Sequence, residues 1–511
     1  MRHRNSVVWS PSRIQAHARE WNVQGVDHGA ETASTCVVIT GRDRWWRHGR
    51  WIVPAGIAVY AALIMVAVSS QEILLGDGAF FSFTATLSDP WAANWRDYPG
   101  RFIVFLTTVV PTHLLYRAGL PFHAVPDVYA FLFLIHPMVG MVCAYALLPR
   151  AERDWLLLPL AFWAGIGMCT FGFPMEAFVT ASAFWPLLFG ALYPPRSIWH
   201  TAMLLGATLV FCFSHEAALL AVPAILLAIL WNGQRFVWPA RLPRCGLLLL
   251  MTVGIAALGA LYFAALFRPA NPQVAHALGE NRLQAFDPMI FRRFPMLRAG
   301  SIILALSVAS LFINVSRHRR SILVLVFLAT AVVVTKTLVS HELAPQRLYL
   351  ARTAILYMLP VCGIAVVCGV RRARRPDRAF LTSVIAMLMG AQLVHHLALN
   401  RDWRMYRDRF VTELSVNRSE ALVDYRAVSL PAFVQWTPRL NGFIWPWVMP
   451  YQSMFLRLPP GVDRKHLLYN PRSSYVHIGC GPMRRFALSP PKEILPELGA
   501  ALADHVCRHN P

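Results

Sequence analysis

The strongest constraint on this chain is a series of apolar runs near the length that crosses a bilayer, with the arginines gathered in short clusters between runs. They begin at 51–70 and recur at about 102–118, 126–148, 156–172, 177–193, 201–231, 247–267, 300–316, 322–340, 353–370 and 380–398. About 20 apolar residues in a helix span the ~30 Å hydrocarbon core. Inside that core every backbone N–H and C=O has to be bonded within the chain, so such a series folds as helices. The reading is an all-α polytopic membrane protein of about eleven transmembrane helices, which argues against a soluble enzyme.

Charge sets the direction of threading. The formal net charge of +22 invites a nucleic-acid partner, but the arginines fall between the apolar runs, where the positive-inside rule places them. No nucleic acid is therefore expected as a partner; membrane lipid is. Residues 1–50 carry eight arginines against four acids and no apolar run, and read as a cytoplasmic, partly disordered lead. The clusters Arg235/Arg241/Arg244, Arg317/Arg319/Arg320 and Arg371/Arg372/Arg374/Arg375/Arg378 also read as cytoplasmic. That scheme makes 51–398 the transmembrane domain and puts the loop 71–101 outside. It leaves 399–511 as a small extracytoplasmic domain of mixed α/β structure, with SYVHIGC its best strand and ILPELGAALADHV its best helix.

Two runs fit poorly. The run 201–231 would make a helix of about 46 Å, and it holds Ser214, His215 and Glu216 near its middle. An acid at mid-membrane costs at least about 2.5 kcal/mol, which favours a break there. The run 102–118 is short and contains Pro111 and His113, so it reads either as a span or as a segment lying along the outer surface. If both exceptions hold, Glu176 and the Ser214-His215-Glu216 triplet move to the outer face.

The candidate chemistry centres on 71–101, QEILLGDGAFFSFTATLSDPWAANWRDYPGR. Its aromatics (Phe80, Phe81, Phe83, Trp91, Trp95, Tyr98) read as rings in the headgroup layer, with the acids facing water. Asp77, flanked by Gly76 and Gly78, is the candidate catalytic base, against a capping role at a membrane boundary. Glu72 reads as an ordinary helix-end acid, and Asp89, before Pro90, as a turn. Arg101 opens the next apolar segment and could reach an anionic headgroup or simply snorkel. Ionisable groups within membrane segments are functional candidates by default, which singles out His215, Glu216 and Glu176. A second Ser-His-Glu, at Ser340-His341-Glu342, adjoins Lys336, Arg347 and Arg352, a cationic group suited to phosphate. No clear ligand set for a metal emerges, so a divalent cation stays open without an assigned site. Of nine cysteines, Cys143, Cys169, Cys212, Cys362 and Cys368 lie in apolar runs and read as small core residues. Cys480 and Cys507 could pair outside or remain thiols.

Taken together, the first span with its N-terminus inside, the outer loop with an acid in LLGDGAFFS, the YPGR entry to the next segment and the hydrophilic C-terminal part resemble the GT-C class of integral membrane glycosyltransferases. The resemblance covers nearly the whole chain in architecture, through short motifs. That class typically carries a pair of acids in its first outer loop, whereas GDG supplies one. The resemblance implies a polyprenyl-phosphate-linked sugar as donor and an envelope glycan or lipid as acceptor. It also implies inversion at the anomeric carbon, with Asp77 as base and Arg101, Arg347 or Arg352 near the phosphate. The expected location is a bacterial-type inner membrane, with the N-terminus cytoplasmic and the C-terminus outside. A polysaccharide polymerase or ligase is the alternative enzyme. A transporter or lipid flippase is the alternative of another class, although no matching halves with Gly/Pro-broken helices are visible.

Overall fold

A computed structural model describes residues 51–87, 89–93, 95, 99–165, 175–193, 197–215, 218–233, 254, 348–371, 378–416, 422–425, 443–445, 448–462 and 466–469. This part is mostly helical. Three of its helices are long and apolar enough to cross a membrane: α1 (Ile52–Ser69), α5 (Phe122–Leu147) and α11 (Arg378–Ser415). Between them lie α2 (Asp77–Thr84), the short α3 (Pro90–Ala93), α4 (Phe102–Arg117), α6 (Leu157–Gly165), α7 (Glu176–Leu192), α8 (Ile198–Cys212), α9 (Ala218–Gly233) and α10 (Leu348–Arg371). A last short helix, α12 (Met449–Phe455), follows the strand β1 (Leu422–Asp424) and precedes its parallel partner β2 (Leu467–Tyr469), with Leu422 opposite Leu467.

The bundle is organised around α7. All 17 of its residues are buried, which makes it a helix with no lipid-facing side. Helices α5, α8, α9 and α10 pack on it. The α5–α7 contact is close because a Cβ at Gly140 would lie 2.2 Å from the Ser182 carbonyl, so only glycine fits. By contrast α1 buries one stripe (Gly56, Leu63, Ile64, Ala67) and turns residues such as Met65 outward, the pattern of a helix at the lipid boundary.

Both poorly fitting runs resolve in one sense. The run 201–231 is broken into α8 and α9, with Ser214 and His215 between them. Helix α4 does not run from one end of the bundle to the other. Its first turn bonds to the end of α8 through Ile103 N–H and the Phe213 carbonyl (3.0 Å). Its last turns meet α2 through His113 Nδ1 and the Ala85 carbonyl (2.9 Å), and α5 through the Tyr116–Phe122 ring contact. We call this the site end. At the opposite end Arg378 pairs with Asp154 (2.5 Å), Arg371 stacks on Trp231, and the Tyr193 hydroxyl donates to Glu152 (3.4 Å).

The aromatic loop corrects its sequence reading. Phe80, Phe81, Phe83 and Trp95 are buried in the core, so these rings build the site end from within and do not line a headgroup layer. Helix α11 continues without interruption through residue 399 to Ser415, and α12 packs against α2 and the Glu72–Leu74 turn that follows α1. Cys143, Cys212, Cys362 and Cys368 are free thiols, whereas SYVHIGC, ILPELGAALADHV, Cys480 and Cys507 lie outside the described residues.

Candidate functional site

The site is built on the turn that follows α1. Ser70 ends the helix by back-bonding to the Val66 carbonyl (2.6 Å). Gln71 takes a left-handed backbone (φ 56°), unusual for a non-glycine residue. Its side chain is clamped at both atoms, Nε2 donating to the Phe455 carbonyl (3.2 Å) and Oε1 accepting from the Arg457 N–H (3.0 Å). A 3₁₀ turn, Glu72–Leu74, leads to Gly76 (φ 64°, ψ −140°), which caps α2 in a conformation only glycine adopts readily. A Cβ at Gly78 would lie 1.9 Å from the Ile73 carbonyl. The two glycines around Asp77 therefore fix its place as the first residue of α2.

Glu72 is not a solvated helix-end acid. It is wholly buried, accepting from Ser70 Oγ (3.2 Å) and Asn400 Nδ2, with His396 Nε2 3.2 Å from its other oxygen. Trp403 Nε1 donates to the Ser70 carbonyl (2.8 Å), and Gln452, itself held by the Tyr406 hydroxyl, donates to the Leu74 carbonyl (3.0 Å). The whole turn is thus shaped by α11 and α12, more than 300 residues away in sequence. A signal for this was present: Gln392, His396, Asn400 and Trp403 recur at the spacing of one helix face.

Asp77 has company. The Asp77 and Glu176 carboxylates both lie close enough to Tyr129 on α5 to act on its hydroxyl electrostatically. Arg101 Nη1 donates to Glu176 Oε1 at 2.8 Å, with the arginine side chain 19% and the glutamate 4% exposed. Four separate elements therefore deliver Asp77, Arg101, Tyr129 and Glu176 to one place: the starts of α2 and α7, the turn before α4, and α5. Helix α4 contributes through a π-helical turn, Phe105–Val109, which sets Thr108 beside Tyr129 and bonds Thr107 Oγ1 to His136 Nε2 (3.1 Å). Such turns recur at functional sites because they re-aim side chains.

No family model, curated protein or solved structure matches the chain. Tyr129 was invisible as a site residue because a tyrosine in an apolar helix reads as core. His215 is buried two residues beyond the Phe213 carbonyl that holds α4, which puts the α8–α9 break next to Arg101. Glu216, Lys336, His341, Glu342 and Arg347 lie outside the described residues; Arg352 lies in α10, its side chain likewise outside them. Asp89 is exposed. Among the described residues no group of three His, Cys, Asp or Glu side chains is placed to hold a metal ion.

Chemically, the group offers a carboxylate in partial contact with solvent (Asp77) and a guanidinium oriented by a buried carboxylate (Arg101 on Glu176). A carboxylate can take a proton from a hydroxyl, and a guanidinium can neutralise a phosphate oxygen.

Proposed function

We propose that this protein is a membrane-embedded glycosyltransferase of GT-C type, moving a sugar from a polyprenyl-phosphate-linked donor to a hydroxyl of an envelope glycan or lipid. The observation that carries the reading is the meeting of Asp77, Arg101 and Glu176 around Tyr129 at one end of an apolar bundle. In this reading the acceptor oxygen forms its bond to the anomeric carbon as the bond to the phosphate oxygen breaks, with inversion. Asp77 takes the acceptor proton, and the departing electron pair stays on the phosphate beside Arg101. Glu176 holds Arg101 in place, His215 at the α8–α9 break is the next catalytic candidate, and Glu216 is kept as a candidate on its sequence alone. Lys336, His341, Glu342, Arg347 and Arg352 are the further candidates for donor phosphate. In this reading the end that carries Arg150, Arg153, Arg371 and Arg378 faces the cytoplasm, in keeping with the positive-inside rule, and the site faces outward from a bacterial-type inner membrane.

The test is Asp77→Asn in isolated membranes, read as consumption of radiolabelled polyprenyl-phosphate sugars. Transfer should be abolished with protein level and membrane insertion unchanged, while the exposed Asp89→Asn should transfer normally. Normal transfer by Asp77→Asn would remove the base assignment.

A further inference from the structure

Most hydroxyls on the helices of this bundle bond back to the carbonyl one turn earlier: Thr107, Thr108, Thr112, Ser182, Thr208 and Ser214 all do so. Thr180 does not. It lies one turn beyond Glu176 on α7, wholly buried, and its Oγ1 has no hydrogen-bond partner among the described residues although the Glu176 carbonyl is the one its position offers. Two more buried groups in this region share the condition. Trp95 Nε1 and the Tyr129 hydroxyl have no hydrogen bond of acceptable geometry, and Tyr129 faces Thr108 without forming one. The two rings flank Phe81, with centroids 5.0 and 6.2 Å from it, and Phe105 closes on Trp95 at 5.9 Å.

A buried donor without a partner is costly, and folded proteins tolerate few of them. Here unpartnered groups accompany the Asp77, Glu176 and Arg101 group, beside an aromatic wall. A ligand that suits them accepts from an indole N–H and two hydroxyls, donates to two carboxylates, and offers a C–H face to the rings. A polyhydroxylated ring combines those properties. Asp77 and Arg101 are the partly exposed members of this group.

We propose that Trp95, Tyr129 and Thr180 form the subsite that recognises the hydroxyls of the transferred sugar ring. The proposal deepens the transferase reading and rests on it for the nature of the site. The subsite is formed by polar atoms that have no partner among the described residues, so deleting them has opposite effects on folding and on recognition. Tyr129→Phe and Thr180→Val remove the polar atom and keep the shape, whereas Trp95→Phe also removes one ring of a buried indole and is read on binding alone.

The experiment is saturation-transfer NMR on the full chain in a detergent without sugar, with a panel of methyl pyranosides as probes and 2-methoxyethanol as the control. At least one pyranoside should bind the unaltered protein at millimolar concentration. Each substitution should weaken it by roughly fivefold, the loss of one hydrogen bond, while Tyr129→Phe and Thr180→Val leave the melting temperature without ligand equal or higher. Binding by none of the pyranosides would overturn the proposal. So would unchanged binding in all three variants, or a lowered melting temperature with unchanged binding in Tyr129→Phe and Thr180→Val, which would mark groups satisfied by internal water. Asp77→Asn separates the two claims: retained pyranoside binding with normal sugar transfer would remove the base and leave the subsite standing.

Discussion

Replacing Arg101 by alanine isolates the ion pair on which the site's geometry turns. At 2.8 Å and an effective dielectric of about 20, the attraction between Arg101 and Glu176 is about 6 kcal/mol before desolvation is subtracted. Removing one partner of a buried pair costs about 3–5 kcal/mol, because the other charge is left buried. Glu176 is 4% exposed and meets that condition, whereas Arg101 at 19% retains some water, so the expected cost is about 3 kcal/mol. Glu176→Gln alone should cost less, since the arginine left behind can still turn toward water. The double variant should recover most of the Arg101→Ala loss, a coupling of about 2 kcal/mol. The assay is a denaturant titration in mixed micelles on the single variants, the double variant and the parent. Losses that add to within about 0.5 kcal/mol would show that the two side chains do not act as a pair, and the account of how α7 holds Arg101 would fail.

Other substitutions probe the frame. Gly78→Ala should destabilise by about 2 kcal/mol or more, because its Cβ meets the Ile73 carbonyl at 1.9 Å, a backbone atom that cannot swing away. Gly206→Ala, in the middle of α8 with nothing within 4 Å of the added carbon, should instead stabilise by about 0.5–1 kcal/mol in the same titration. Trp403→Phe deletes the 2.8 Å bond to the Ser70 carbonyl and leaves a void where one ring of a wholly buried indole stood, so it should cost about 2–4 kcal/mol. Arg457→Ala breaks a pair with Asp127 in which the arginine is 41% exposed, and the loss should stay under about 1 kcal/mol and shrink with added salt.

What the residues disclosed follows from how local each signal was. The helical class, the break at Ser214–His215 and the anomaly of 102–118 are properties of length and apolarity along a single segment, so they were legible before any packing was known. The aromatic loop was misread for the same reason. Composition counts Phe80, Phe81, Phe83 and Trp95 alike whether they meet headgroups or core, and burial decides which. Glu72 and Tyr129 were misjudged because their importance depends on partners in distant segments: Asn400 and His396 for one, Asp77 and Glu176 for the other.

The sequence by itself determined that the described part of the chain folds as apolar helices, that the run 201–231 breaks near Ser214–His215, and which charges sit at the helix ends. These outcomes follow from the cost of leaving backbone groups and charges unsatisfied in hydrocarbon. Only the tertiary structure decided that α7 is enclosed on every side, that α4 stays at the site end, and that Asp77, Arg101, Tyr129 and Glu176 meet. Spacing along a helix says which residues share a face, but not which face of which helix lies opposite. That is settled by close approaches such as Gly140 on Ser182 and by the polar ties from α11 and α12 that shape the turn before Asp77.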